Sequence, residues 1–171
     1  MPESELPDSI LVVRCQLGDR DAWDLLVRRW HPRLWRFVSG MLLDRPTAED
    51  VNQNIWLRVT RSLVRLRHPE SLSAWLYGVA RAAIADRLRE QYRHPSSDNI
   101  VELSEAETGF EMIDNRDLIR SGLAQLQPPD REVVLLYYFH GCSLDEVARC
   151  CDIPPGTVKS RLHRARRVLR Q

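Results

Sequence analysis

Apolar residues recur along most of this chain at the three- and four-residue spacing of helix faces. Residues 8–16 read as a short helix stopped at Gly18. The stretch 21–42 places Leu26, Trp30, Leu34, Val38 and Met41 on one face, and Pro32 should kink it or start a new turn. Thr47-Ala48-Glu49-Asp50 has the form of a capping box with Asp in place of Glu, and opens a third helix to about Leu63. After a loop from Arg65 to Leu72 containing Pro69, a fourth helix runs from near Ser73 to near Tyr92. Its apolar stripe is Leu76, Val79, Ala80, Ala83, Ile84 and Leu88.

The second half predicts four more helices. Residues 116–126 carry Ile119, Leu123 and Leu126 at helical spacing. Pro128-Pro129-Asp130 starts a helix through Phe139, since proline is tolerated in a first turn, and Gly141 closes it. Ser143-Leu144-Asp145-Glu146 is a full capping box and opens a short helix to about Cys151. Residues 152–156 form a tight turn, and the last helix runs from about Thr157 to Leu169. A short helix, a tight turn and a second helix make a helix-turn-helix pattern.

Charge divides this pattern in two. Between Ser96 and Asp117 seven acids face one base, Arg116, for a net charge of −6. With no sustained helical stripe, the segment reads as a linker that is at least partly disordered. The whole chain has 171 residues and a net charge of +1, from 25 Lys+Arg against 24 Asp+Glu, so a uniformly basic binder is excluded. A composition of 43% hydrophobic and 29% charged residues fits a folded, soluble protein. The 7 glycines never fall within ten positions of one another, which argues against Rossmann and P-loop sites. The acidic N-terminus lacks the pattern of a secretory signal. The longest strongly apolar run, Val133 to Phe139, is far short of the ~20 residues of a membrane span. The expectation is a cytoplasmic protein that is not membrane-inserted.

The local base excess sits on the last helix. Val158, Leu162, Ala165 and Leu169 share an inward face. Ser160, His163, Arg164 and Arg167 lie opposite, flanked by Thr157 and Lys159. Lys159, Arg161, Arg164, Arg166, Arg167 and Arg170 supply six bases, and no acid follows Asp152. A helix with this face suits a major groove, where cations neutralise phosphates and reach guanine edges. An ordinary solvated face mixes signs, and this one does not.

Three runs carry a family resemblance: Leu126-Gln127-Pro128-Pro129-Asp130-Arg131-Glu132-Val133-Val134-Leu135-Leu136, Ser143-Leu144-Asp145-Glu146-Val147-Ala148, and Gly156 to Arg166. Together they resemble region four of bacterial RNA polymerase sigma factors, most closely the extracytoplasmic-function (ECF) group. Ala48-Glu49-Asp50-Val51-Asn52-Gln53-Asn54-Ile55-Trp56-Leu57 resembles the region-two helix that grips the β′ clamp coiled coil. Ser73 to Arg81, with Asp86-Arg87-Leu88-Arg89, resembles the −10 recognition segment.

The resemblance implies an all-α chain of two small helical domains: region two at 1–94, an acidic flexible linker at 95–115, and a region-four helix-turn-helix domain at 116–171. No room remains for a region three, which is the ECF pattern. It further implies a factor that binds core polymerase through the β′ coiled coil and β flap, recognises and opens promoter DNA, and is held in check by an anti-sigma protein. Thr157, Lys159, Ser160, Arg161, His163, Arg164 and Arg167 would read the −35 element. Arg65, Arg67, His68, Ser71, Trp75, Tyr77, Arg81, Arg89 and Arg93 would meet the −10 element. Asp50, Gln53, Asn54, Leu57 and Arg61 would contact core. A leucine among polar groups on an exposed face suits a contact anchor, although lone exposed leucines are common. Trp75 suits a stacking platform for single-stranded DNA or, equally, a core tryptophan. The chain departs from the family at Asp152, Pro154, Asn54 and Ala82, where the family often has Gly, Ser, an acid and Asn. Asp152 can take a left-handed turn conformation at some cost. With Pro154 in place of a Ser cap, another group, DNA phosphate among them, must satisfy the amides of the last helix.

The remaining signals are weaker. Cys15, Cys142, Cys150 and Cys151 fit no usual zinc spacing, and Cys150 and Cys151 read as small buried hydrophobes, with a metal or redox role as the alternative. No catalytic arrangement, metal site, cofactor or small-molecule substrate is implied. Linker acids could compete with phosphate for the chain's own arginines. The rival functions are a repressor or activator using the C-terminal module alone, which would bind duplex without polymerase, and a helical adaptor that makes no DNA contact.

Overall fold

The computed structural model describes residues 6–93 and 113–170, with the side chains of 113–116 left aside. Its regular elements are all helical. The first half holds α1 (Asp8–Gln16), α2 (Arg20–Leu42), α3 (Arg45–Ser62) and α4 (Leu72–Arg93), with short 3-10 turns at Leu63–Arg65 and Pro69–Ser71. The second half holds α5 (Ile113–Gln125), α6 (Pro128–Val134) continuing as a π-turn over Leu135–Phe139, α7 (Leu144–Cys151) and α8 (Pro155–Leu169). Most of the acidic linker lies outside the described residues. Its expected end at 115 is too late, because α5 already begins at Ile113.

Local chemistry sets most boundaries. Asp19 caps α2 by accepting the Ala22 amide at 3.0 Å. The cap of α3 is Asp44, which accepts the Thr47 amide at 3.0 Å, so the Thr47 capping box is corrected. Pro46 fits the first turn because amides there need no helical partner, and Thr47 is buried behind it. Pro32 does not end α2, which runs continuously across it. His31, Pro32 and Arg33 are exposed, so water can take the carbonyl that proline frees. The Ser143–Glu146 capping box closes in both directions, with Glu146 N to Ser143 Oγ at 3.3 Å and Ser143 N to Glu146 Oε2 at 2.7 Å. Asp152 takes the left-handed conformation at φ +53°, and Ile153 N closes the end of α7 on the Ala148 carbonyl at 3.0 Å.

Leu11, Leu26, Leu34, Phe37, Ile55, Val59 and Leu76 are fully buried in the first half. Val133, Leu136, Val147 and Val158 are fully buried in the second. The halves also pack on each other, α4 against α7 and α2 against the α6 segment. A Cβ on Gly40 would lie 2.7 Å from Leu135 Cδ2, so any larger residue there would force the Leu135 side chain to move. Arg81 crosses from α4 to the Glu132 carboxylate and donates to the Cys150 carbonyl at 3.0 Å. Arg131 donates to the Met41 carbonyl at 2.7 Å, and Arg120 to the Leu43 carbonyl. Leu43 itself is left-handed, at φ +60°. Arg131 also holds the end of α5, through the Leu123 carbonyl at 2.8 Å and the Leu126 carbonyl at 3.1 Å.

His140 sits in this junction, edge-on to Phe37 and Tyr77 at 6.0 and 5.4 Å between ring centres. Its buried Nε2 has no hydrogen-bond partner. Burial, reinforced by Arg36 and Arg33 on α2, pushes its pKa from 6.5 down to about 4. Tyr77 on α4 and the partly buried Cys142 next along the chain carry no charge at neutral pH that could offset this. The native state therefore favours neutral imidazole, and its contribution is complete above pH 6.5 and lost as pH falls toward 4. Denaturant unfolding from pH 7 to 4.5 should show a loss approaching about 1.4 kcal/mol per pH unit from this group. His140→Phe should flatten that part of the slope, and an unchanged slope would contradict the assignment.

Candidate nucleic-acid and polymerase interfaces

In α8 the inward stripe is Val158, Leu162 and Ala165, all buried, while Leu169 is exposed at the frayed end. Lys159, Ser160, His163, Arg164 and Arg167 are exposed. Thr157 is half-buried, and its carbonyl accepts the Ser160 hydroxyl at 3.0 Å. Arg161 is half-buried and lines a cleft of about 260 Å³ between the halves, beside Arg81 and Glu132. Pro154 offers no side-chain cap, but its carbonyl takes the Thr157 and Val158 amides at 2.9 and 3.2 Å. Most of the capping need is therefore met inside the helix. Arg166 turns away to the Tyr138 hydroxyl at 2.6 Å. Arg164 binds Asp130 through Nε to Oδ2 at 2.6 Å and Nη2 to Oδ1 at 2.5 Å. That bond holds the guanidinium's pKa above its usual value.

The candidate −10 residues divide. Arg65, Arg67, His68 and Ser71 are exposed on the segment between α3 and α4. Gln16 pins this segment by donating Nε2 to the Leu63 and Leu66 carbonyls at 3.0 and 2.9 Å. Arg89 and Arg93 are exposed toward the end of α4. Trp75 is half-buried against the core, between its two expected roles. Tyr77 is a correction: it is 2% exposed and packs edge-on to Trp30 at 6.1 Å and Phe37 at 5.2 Å. Burial raises its pKa and leaves it no surface for DNA. Arg81 is only part-exposed and is engaged by the second half, as described above.

On α3 all five candidate polymerase contacts, Asp50, Gln53, Asn54, Leu57 and Arg61, are exposed, and Leu57 is 58% exposed. Val51, Ile55 and Val59 are buried on the opposite face. Asn54 Oδ1 accepts from Arg58 Nε at 2.6 Å, and Arg58 reaches Asp86 on α4 at 2.8 Å. Arg58 holds the Asp86 carboxyl below the usual carboxylate range.

The Sigma-70 region 2 family matches residues 26–94, and the Sigma-70 region 4 family matches 116–169. The ECF RNA polymerase sigma-E factor of Escherichia coli is 30% identical over 181 aligned residues, covering 96% of this chain and 93% of the relative. The chain belongs to the ECF RNA polymerase sigma factors. The RNA polymerase sigma-H factor of Pseudomonas aeruginosa is 29% identical, over 95% of this chain and 91% of that one. Among solved structures, CnrH bound to the cytosolic domain of CnrY shares the fold at a TM-score of 0.72 and 24% identity, covering 95% and 94% of the two chains. RpoE of Bartonella quintana bound to the anti-sigma factor NepR does so at 0.75 and 24%, covering 86% and 93%.

This sigma factor is a transcription specificity factor that works with RNA polymerase core and promoter DNA. No helix among the described residues is long and apolar enough to cross a membrane. Sequence reasoning missed Gln16, Asp130, Arg131 and Glu132, each of which has at least one partner far away along the chain. The nearest available signal was Asp130-Arg131-Glu132 opening an otherwise apolar helix. Burial pushes the thiols of Cys150 and Cys151 up to about 12. A thiol-alkylating reagent at pH 8 should reach at most Cys15 and Cys142 in the native protein, and Cys150 and Cys151 only after denaturation. Native labelling of Cys150 would contradict this environment.

Proposed function

We propose that this ECF sigma factor docks on core polymerase through the exposed face of α3 and reads promoter DNA through α4 with its preceding loop and through α8. Residues 1–94 act as the region-two unit, 95–112 as the tether and 113–171 as the region-four unit. The observation that carries this is the pairing, on one chain, of an exposed α3 face centred on Leu57 with a separate α8 face free of acids. A C-terminal repressor module has no use for the first. The contacted elements of polymerase are the β′ clamp coiled coil and the β flap. The factor supplies specificity, performs no catalysis and acts in the bacterial cytoplasm.

Geometry adds a step. Elements named −10 and −35 are about 25 base pairs apart, or about 85 Å at 3.4 Å per pair. Arg81 of the first half is hydrogen-bonded to Glu132 of the second. The closed arrangement therefore cannot engage both elements, and the halves separate when promoter is bound. The 19 residues between Arg93 and Ile113 reach at most about 65 Å, enough with the domains' own widths to span the gap. An anti-sigma protein then acts by occupying surfaces that core and promoter need, a reading supported by the CnrH and RpoE relatives being held by CnrY and NepR.

Purified chain should bind core polymerase and direct initiation from a selected promoter fragment. Leu57→Asp should leave thermal stability unchanged, because the site is exposed, while weakening core binding about tenfold or more. Failure of the unaltered chain to bind core, or full binding by Leu57→Asp, would contradict the proposal.

A further inference from the structure

The Arg164–Asp130 pair differs from the other contacts made by α8 arginines. Asp130 is 2% exposed, whereas the Arg164 side chain is about half exposed. A buried carboxylate bound to an exposed guanidinium on a DNA-facing helix wall is costly unless well satisfied. Here both oxygens accept bonds, and Asp130 lies in the first turn of α6, where the helix dipole favours an anion. The carboxylate is thus at home with or without DNA.

A guanidinium has five N–H donors in a rigid fork. Asp130 uses one from Nε and one from Nη2. The three that remain include both outer N–H groups of the Nη1/Nη2 edge. That edge has the spacing for a two-point contact to guanine O6 and N7. Arg164 shares its face with Ser160 and Arg167, one turn away on either side and both exposed.

We propose that Asp130 is a positioning residue for −35 recognition: it clamps the Nε/Nη2 edge of Arg164 so that the adjacent Nη1/Nη2 edge is presented as a fixed fork to a guanine. This rests on the promoter-reading role proposed above. The clamp removes rotamer freedom that a free arginine would lose on binding, and so turns a phosphate-seeking cation into a base reader. An arginine tied only as a structural strut would make no difference to base preference.

The test is selection from a random-sequence duplex pool by the full-length chain with core polymerase, followed by sequencing, with each variant's melting temperature recorded. The unaltered chain should enrich guanine at one or two adjacent pairs of the −35 element. Arg164→Lys keeps the charge but cannot bridge Asp130 and a guanine together. It should retain the salt dependence of binding while preference at that pair falls about 10–100-fold. Asp130→Asn should lose the same preference at the same pair, and the double variant should lose no more than either alone. Unchanged preference in Arg164→Lys would overturn the proposal and leave the pair a strut. Preference lost in Arg164→Lys but kept in a folded Asp130→Asn would overturn the positioning role specifically. If Asp130→Asn fails to fold, Asp130→Glu takes its place, and full preference with the longer acid would count against the fixed geometry. No enriched sequence with the unaltered chain would overturn the promoter reading itself.

Discussion

Each helix leaves its last carbonyls without partners, and arginines reaching those carbonyls from elsewhere hold this chain together. Among the described residues, only α1 and the α6 segment end beside a left-handed glycine, Gly18 and Gly141. Left-handed Leu43 and Asp152 turn the chain after α2 and α7, and arginines bind carbonyls at these ends and at α5: Arg131 on Met41 and Arg120 on Leu43 at α2, Arg131 on Leu123 at α5, and Arg81 on Cys150 at α7. Charged donors on carbonyls contribute more than neutral ones, ~1.5–3 kcal/mol each, and removing one strands a carbonyl. Burial lowers the Arg131 pKa, the cost of placing a cation where four carbonyls converge. Except at α5, the capping arginines come from the other half. Helix capping and domain packing are therefore the same bonds.

This changes the meaning of the charge count. A net charge of +1 hides two populations of arginine. One is spent on carbonyls and buried acids, as Arg81, Arg120 and Arg131 are. The other, with Lys159 and Arg167, stays on the exposed wall of α8. Arg164 belongs to both, since it binds a buried acid while about half of its side chain stays exposed. Arg81 is the counterpart on α4: its engagement with Glu132 ties a candidate promoter contact to the closed state.

What could be read from sequence follows the range of the interactions. The capping box at Ser143, the left-handed turn at Asp152 and the buried stripe of α8 depend on neighbours within four residues and appear as expected, except that Leu169 at the end of the stripe is exposed. The exposed face of α3 follows from periodicity in the same way. Tyr77 does not, because Trp30, Phe37 and His140 cover it from two other elements. Asp44 outcompeted Thr47 as a cap because Pro46 fits the first turn, a local effect masked by the stronger motif beside it. The packing of the halves was illegible, since it rests on side chains meeting main-chain atoms 69 to 90 residues away.

The closed arrangement is tested most directly by small-angle X-ray scattering from the free, full-length chain at neutral pH and low concentration. Joined halves predict one compact particle with a radius of gyration near the globular value of about 16 Å for this length, slightly enlarged by the tether. Two separate halves would instead give a two-peaked pair-distance distribution and a radius well above about 20 Å, contradicting the arginine-closed structure.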